Sequence, residues 1–535
     1  MNRIYKVIWS KARNCYVVVS EIAKTHSKGG TGVSGVVKKV GSSALLTAAV
    51  TAMLMTPVGS AWADPIPTQE YDPVHENIVI GEDVSASSTE NVVVGVHSHA
   101  GEKGAVAVGV AADANTENSI AIGNDVEANG DAATAIGHEA HTQGDETTAV
   151  GNSAKAEMDE ASAYGNIAKA LGEASTAIGH DSTAKNGSDT ALGDRSTAEG
   201  GGSSAIGPSS HASGSGSSAM GSNSVATGTE ASALGSKSTA NGDGSTAAGK
   251  ESVADGKEST ALGKGATATK SKSTATGADA TASGTNSTAL GTGATASNAS
   301  STAVGDSASA SGLDSTALGS GSIADAKRAV ALGGGESTTD EVTGETSNNA
   351  AEAKGEDSIA IGSGARTTKE ADSAVAIGGG GDGKGAVASG KDSVALGTGT
   401  TAAGASSVAI GGGEEKDGAT ALGEASIVLG NNAGSAEGAT NGVAIGTGSS
   451  VTVENGVALG AGSIASTGKD IEGYVPNPNR VPDTTISTWT STEAAVSIGA
   501  TDESGNPTMT RQITGVAAGT NDWDAANVAQ LKAAM

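Results

Sequence analysis

The 535 residues include 81 Gly, no Phe, five Tyr and four Trp, and the net charge is −28. So few large side chains exclude the thick cores of ordinary globular domains and leave two options, disorder or a thin core of stacked Ala, Val, Ile and Leu. The acidic balance excludes a surface that attracts nucleic acid or anionic lipid.

The chain opens with Arg3, Lys6, Lys11, Arg13, Lys24, Lys28, Lys38 and Lys39 against a single acid, Glu21. An uncharged stretch follows over residues 40–63, with Leu45, Leu46, Val50 and Met53-Leu54-Met55 near its centre. It closes on Ala61-Trp62-Ala63 before Asp64. A basic region, a short apolar region and an A-x-A site predict a signal peptide over 1–63, cut between Ala63 and Asp64, and not a membrane anchor. Its removal takes away eight basic residues and one acid, which leaves −35 on the remainder. Cys15, the one cysteine, lies in the removed segment, so the rest has neither disulfide nor thiol chemistry. No later stretch has the length and apolarity of a membrane-spanning helix. Residues 64–77 read as a linker.

From Gly81 a glycine recurs every fourteen residues: Gly95, Gly109, Gly123, Gly137 and onward without a slip to Gly333, nineteen in all. A disordered tract has no reason to hold such a register, whereas stacked coils do, because each residue must land on its counterpart above and below. Ile, Leu or Val usually precedes the glycine, as at Ile122, Ile136, Leu192 and Leu318. Ala sits two before it in every repeat from Ala107 to Ala331, and Ile, Val, Thr or Ser sits three before. A second Ala column follows five after the glycine, as at Ala114, Ala128 and Ala198, and a second Gly often follows at seven, as at Gly130 and Gly144. This predicts two short strands per coil joined by tight turns, with coils about 4.8 Å apart. Strand alternation puts the first and third positions before Gly on one face and Ala on the other. On this reading the aliphatic row is buried, with the Thr column beside it. The Ala column faces either a neighbouring copy or a tight coil interior, and both remain open. The regular array covers 78–333.

Over 334–466 the spacing varies, so loops project between coils; residues 334–357 form an acidic insertion. Residues 467–510 hold the largest interruption, with Pro476, Pro478, Pro482, Tyr474 and Trp489, and then one more strand at Val496-Ser497-Ile498-Gly499.

Three segments carry a resemblance. Tyr5-Lys6-Val7-Ile8-Trp9-Ser10, continuing to Ala23, resembles the extended signal region of large Gram-negative autotransporters. Asn118-Ser119-Ile120-Ala121-Ile122-Gly123 resembles the head repeat of trimeric autotransporter adhesins, the YadA-like family, as does Ser407-Val408-Ala409-Ile410-Gly411. At the end of the chain, Arg511, Gln512, Ile513, Val516, Gly519, Asp524, Asn527, Val528 and Leu531 fall in a stretch that looks like the family's neck, over 511–535. The resemblance implies an all-β fold, a left-handed parallel β-roll in a homotrimer, with a short helical neck opening a coiled-coil stalk. It supports the Ala column as an interchain contact. It further implies secretion to the Gram-negative cell surface and attachment to host cells, extracellular matrix or other bacteria. Some members bind collagen through the head, but Thr or Ser at the third position before Gly departs from that pattern and argues against it here. The family also ends in an outer-membrane β-barrel, which this sequence does not include, so the chain reads as part of a longer adhesin.

No enzymatic site, metal or cofactor is expected. His97-x-His99 and His138-x-x-His141 fall on turns one to four residues after a repeat glycine, without the converging ligands zinc needs. Gly378–Gly381 lacks the Lys-Ser/Thr of a phosphate loop. Two rival functions are a flat-faced ice- or polysaccharide-binding solenoid, suggested by the Thr column (Thr134, Thr176, Thr190, Thr260, Thr288, Thr316), and a carbohydrate-cleaving β-helix, for which the coil is narrow.

Overall fold

The computed structural model describes residues 5–10, 15–20, 70–72, 76–335, 337–339, 346–380, 384–413, 418–475, 485, 487–502 and 504–535. They fall in two units that divide between Ile66 and Pro67. In the first, Tyr5–Ser10 and Cys15–Ser20 form an antiparallel hairpin with Tyr5 opposite Ser20. The cleavage residues Ala63 and Asp64 lie outside the described residues.

The second unit is a parallel β-solenoid with a coil of fourteen. Each coil has a long strand such as Thr176–Ile178 and a short one such as Thr183–Ala184. Long strands pair with long ones, Thr176 with Thr190, Ala177 with Ala191 and Ile178 with Leu192; in Val106–Ala114 and Ile120–Ala128 the long and short strands of a coil run together. Short strands pair with short ones, Thr183 with Thr197 and Ala184 with Ala198. The ladder survives every interruption. Val330 pairs with Ile359, Val375 with Val394, Val408 with Ile427, and Val457 with Val496. Inserted residues therefore loop out and leave the stack intact. The segment read as a linker contains a strand, Glu70–Asp72, which pairs antiparallel with Asn77–Glu82. The physical reason is the open edge of the first long strand, whose unpaired N–H and C=O groups this strand satisfies.

The interior overturns one sequence expectation and settles another. The Ala columns are fully buried within the single chain: Ala177, Ala191, Ala261 and Ala317 have no exposed surface, nor do Ala184 and Ala198. The aliphatic row is the exposed one, with Leu192 at 40% and Leu318 at 48%. The Thr column shares that outer face and is half-buried at Thr176, Thr190, Thr260 and Thr288. Alternation ran as expected; the aliphatic row was placed on the wrong side, and of the two readings left open for Ala the tight coil interior holds. Two strands joined by turns this tight leave no buried Leu or Ile between them among the described residues; nearly every interior position is Ala or Ser, and the largest apolar side chains admitted are the valines Val93, Val126, Val428 and Val451. Ala is thus the core of one chain and not a contact between chains.

Two further buried columns, missed in the sequence, complete that core. They lie four before the repeat glycine, as Ser175, Ser203 and Ser217, and three after it, as Ser182, Ser196 and Ser210. A buried hydroxyl needs a partner. Ser182 Oγ donates to the Gly179 carbonyl at 3.0 Å, Ser196 to Gly193 at 3.0 Å and Ser210 to Gly207 at 2.8 Å. Each serine thus satisfies itself on the turn three residues behind. One carboxylate is equally buried: Asp189 accepts from Asn186 N at 2.9 Å and from Ser203 N and Oγ, both at 2.8 Å.

The repeat glycine is needed for close approach. Gly123 has φ 143°, and a Cβ there would run into the carbonyl oxygen of Gly137 in the next coil. A second device repeats every seven residues. Asp125, Ala132, Glu139, Glu146, Ser153, Glu160 and Ile167 all have φ between 52° and 60°. Each coil is therefore two seven-residue halves, each turning through one left-handed residue.

Candidate interaction face

The outer face of the long strands is the largest feature of the solenoid. The residues immediately before the repeat glycines stack in register, as in Ile178–Leu192–Ile206. They form a stripe that runs from Ile122 at 37% exposure to Leu459 at 38%. Successive members stand about 4.8 Å apart. Apart from Ala248 and Thr276 the row is built of large apolar side chains, and exposed apolar surface repeated over such a length is of the kind on which proteins associate. The repeat glycines Gly81, Gly95, Gly109, Gly123, Gly137 and Gly333 all take the positive φ of the first corner and set the stripe's spacing.

The neck continues the stack. Arg511 reaches back over the last corner, where Nη1 donates to Ser463 Oγ at 2.9 Å and to the Ile498 carbonyl at 2.5 Å, and Nη2 donates to the Ala461 carbonyl at 2.5 Å. The segment that follows is folded by side chains onto backbone. Asp524 Oδ2 accepts from Thr520 N at 2.8 Å and Asn521 N at 2.9 Å, and these bonds hold its carboxyl below the ordinary carboxylate range. Asn527 caps the helix Val528–Ala534 by accepting from Gln530 N at 3.0 Å, while its amide donates to the Val516 carbonyl at 3.1 Å. Gln530 completes the capping box and also grips Gly519, donating to its carbonyl and accepting from its N–H, both at 2.9 Å. Gln530 is the neck residue whose role was not legible, although an Asn-x-x-Gln spacing signals a capping box. The apolar neck residues find no cover within the chain: Ile513 is 71% exposed, Val528 67% and Leu531 60%. Gln512 is exposed as well.

The charged groups lie on the corners and the short-strand face. His97 and His138 are on the first corner, while His99 and His141 begin short strands. Histidines pair with acids one coil away: His97 Nδ1 with Asp83 at 2.8 Å, His141 with Glu127 at 3.1 Å and His180 with Asp194 at 2.9 Å. The hydrogen bond from His180 holds the Asp194 carboxyl below its usual range. Where the chain leaves for the insertion after Gly333, Arg328 clamps Asp357 and Glu356 of the next coil, and the Arg328 bond lowers the Asp357 carboxyl. An open cleft of about 490 Å³ lies beside this clamp. Its lysines Lys327 and Lys354 already pair with Glu356 and Glu352. Among the described residues no three His, Cys, Asp or Glu side chains converge as a metal site, and no helix is long and apolar enough to cross a membrane.

A two-walled roll with an alanine-rich interior and a largely aliphatic outer stripe has the architecture of a repetitive surface-protein head. Comparison with known proteins gives the family. The model of the YadA head domain repeat matches in stretches from 100–125 to 438–463 that together cover more than half of the chain. The extended signal peptide of type V secretion systems matches residues 1–51, and the coiled stalk of trimeric autotransporter adhesins matches 512–535. Autotransporter adhesin BadA of Bartonella henselae is 46% identical over 70 residues, which is 13% of this chain and 2% of that relative. The chain belongs to the YadA-like trimeric autotransporter adhesins, which are secreted to the Gram-negative cell surface.

Proposed function

We propose that the chain forms the head of a homotrimeric adhesin, which attaches the bacterium to host cells, extracellular matrix or other bacteria. The observation that carries this reading is the exposed aliphatic stripe and its continuation into the exposed Ile513, Val528 and Leu531 of the neck. Three copies bury these rows against one another, and the outer corners and short-strand faces are left to meet a partner. Such a repetitive surface binds through many weak contacts whose avidity replaces a single strong site. The proposed division is signal 1–63, linker and edge strand 64–77, regular head 78–333, looped head 334–466, insertion and last coil 467–510, and neck with stalk start 511–535. Cleavage falls between Ala63 and Asp64, which N-terminal sequencing of the secreted protein tests. Beads coated with residues 64–535 should attach to at least one of collagens, fibronectin, laminin, epithelial cells or the producing bacterium. Attachment to none of them rejects adhesion by this segment.

A further inference from the structure

The outer face is not uniform along the solenoid. Three positions before the repeat glycine, the column is aliphatic at its start, from Ile78 to Ile120, and again from Val330 to Val457. Between these blocks, from Thr134 to Thr316, fourteen successive coils carry Thr or Ser there without exception. These side chains are half-buried on the outer face beside the aliphatic stripe. Among the described residues none of their hydroxyls finds a hydrogen-bond partner. The strand carbonyls beside them are already taken by the parallel ladder, as between Thr260 and Thr274.

A hydroxyl sealed into an apolar seam without a partner is costly, and water that stays in the seam removes the cost. We propose that the interface between copies is divided: dry where the column is Ile or Val, and hydrated along residues 134–318. This rests on the homotrimer reading and adds where the association is held. The two aliphatic blocks clamp the ends, while the middle keeps water between the chains and contributes less to their cohesion. The division also has a use. An interface that repeats every coil fits equally well after a slip of one coil. Two block boundaries remove that degeneracy, because a slip sets aliphatic side chains against the hydrated column.

The test uses thiol accessibility, since residues 64–535 contain no cysteine. Thr246→Cys and Val408→Cys, each nearly isosteric, place a thiol in the same column in the middle and in the C-terminal block. Thr288→Cys and Val443→Cys repeat the comparison. In the assembled protein a charged maleimide should label the middle thiols at least about tenfold faster than the end thiols, because a dry seam also suppresses the thiolate. The rates should be equal in urea. Equal rates in the assembled trimer overturn the division and leave the trimer standing. Light scattering on the same variants separates the other failure, because a monomeric mass overturns both.

Discussion

Most of the interior is Ala and Ser, and the sharpest test of its packing is Val451, one of four fully buried valines among the described residues. This valine is fully buried in a column that otherwise holds Ala, except for Thr142, Thr367 and Ser435. The space comes from two glycines, Gly442 and Gly456, which stand where other coils carry Ser301 or Ser315 and whose missing Cβ atoms would lie 2.9 Å and 2.8 Å from Val451 methyls. A Cβ on Gly456 would lie 2.8 Å from a Val451 methyl and 2.9 Å from a methyl of Val453, which is half-exposed and free to turn outward. Gly456→Ala alone overpacks the coil at a cost of about 1–3 kcal/mol, less a gain of about 0.5–1 kcal/mol from the stiffer unfolded chain. Val451→Ala alone removes two carbons and leaves a void, a loss of about 2 kcal/mol. Together the substitutions refill the Gly456 side of the space and leave only the Gly442 side open, so the double variant should recover most of both losses, with a coupling of about 1–3 kcal/mol. Stability in a solenoid is local, so the assay is hydrogen exchange of peptides spanning Val443–Ala465. Each single variant should exchange about tenfold or more faster there, and the double variant should fall within about threefold of the parent. Additive single effects would refute the claim that interior volume is conserved between facing columns.

Ile167 is β-branched and held at φ 59°; Ile167→Asn should stabilise its corner by about 1 kcal/mol, read as slower local exchange. Ser259 is fully buried and its hydroxyl has no partner in the chain, so Ser259→Ala should stabilise by about 1 kcal/mol. Ser238 donates to the Gly235 carbonyl at 2.9 Å, so Ser238→Ala should gain nothing; the two variants melting alike would contradict the role given to the buried serines. Arg511→Ala should speed exchange over 496–509 by about tenfold while the coils above stay protected. Arg328 holds the Asp357 carboxyl low, so this clamp is fully formed above the ordinary carboxylate range and released only as pH falls through the lowered value. Arg328→Ala should shift the acid-induced opening of 352–361 to higher pH.

Much of the architecture was legible because a stack of coils writes its register into the chain. The glycines from Gly81 to Gly333, the two strands and the two corners could all be counted. What could not be read was sidedness. The habit of placing the larger apolar residue inside put Leu192 in the core and left Ala191 undecided between the coil interior and a neighbouring copy. The opposite holds because the gap between two strands of one coil is set by turns such as Gly193–Arg195, not by side-chain volume. The buried Ser182 and Ser196 columns kept the same register but look like polar surface until their hydroxyls are traced to the carbonyls of Gly179 and Gly193. The left-handed corners were hidden because residues such as Glu160 and Ile167 stand where glycine would signal the turn. In the neck, Asn527 and Asp524 were legible as part of a motif, but their work as backbone caps needed the fold.

The central claim is that the outer stripe of Ile, Leu and Val is the surface on which copies of this chain meet. Its most direct test is the mass of residues 64–535 in solution, beside a variant in which Leu396, Ile410 and Ile445 are each changed to Glu. These residues are 41%, 37% and 39% exposed in the single chain, so the changes leave the alanine interior intact. The account predicts three chains per particle for the parent, and folded single chains with unchanged β-sheet circular dichroism for the variant. A parent that is monomeric, or a variant that remains trimeric, contradicts it.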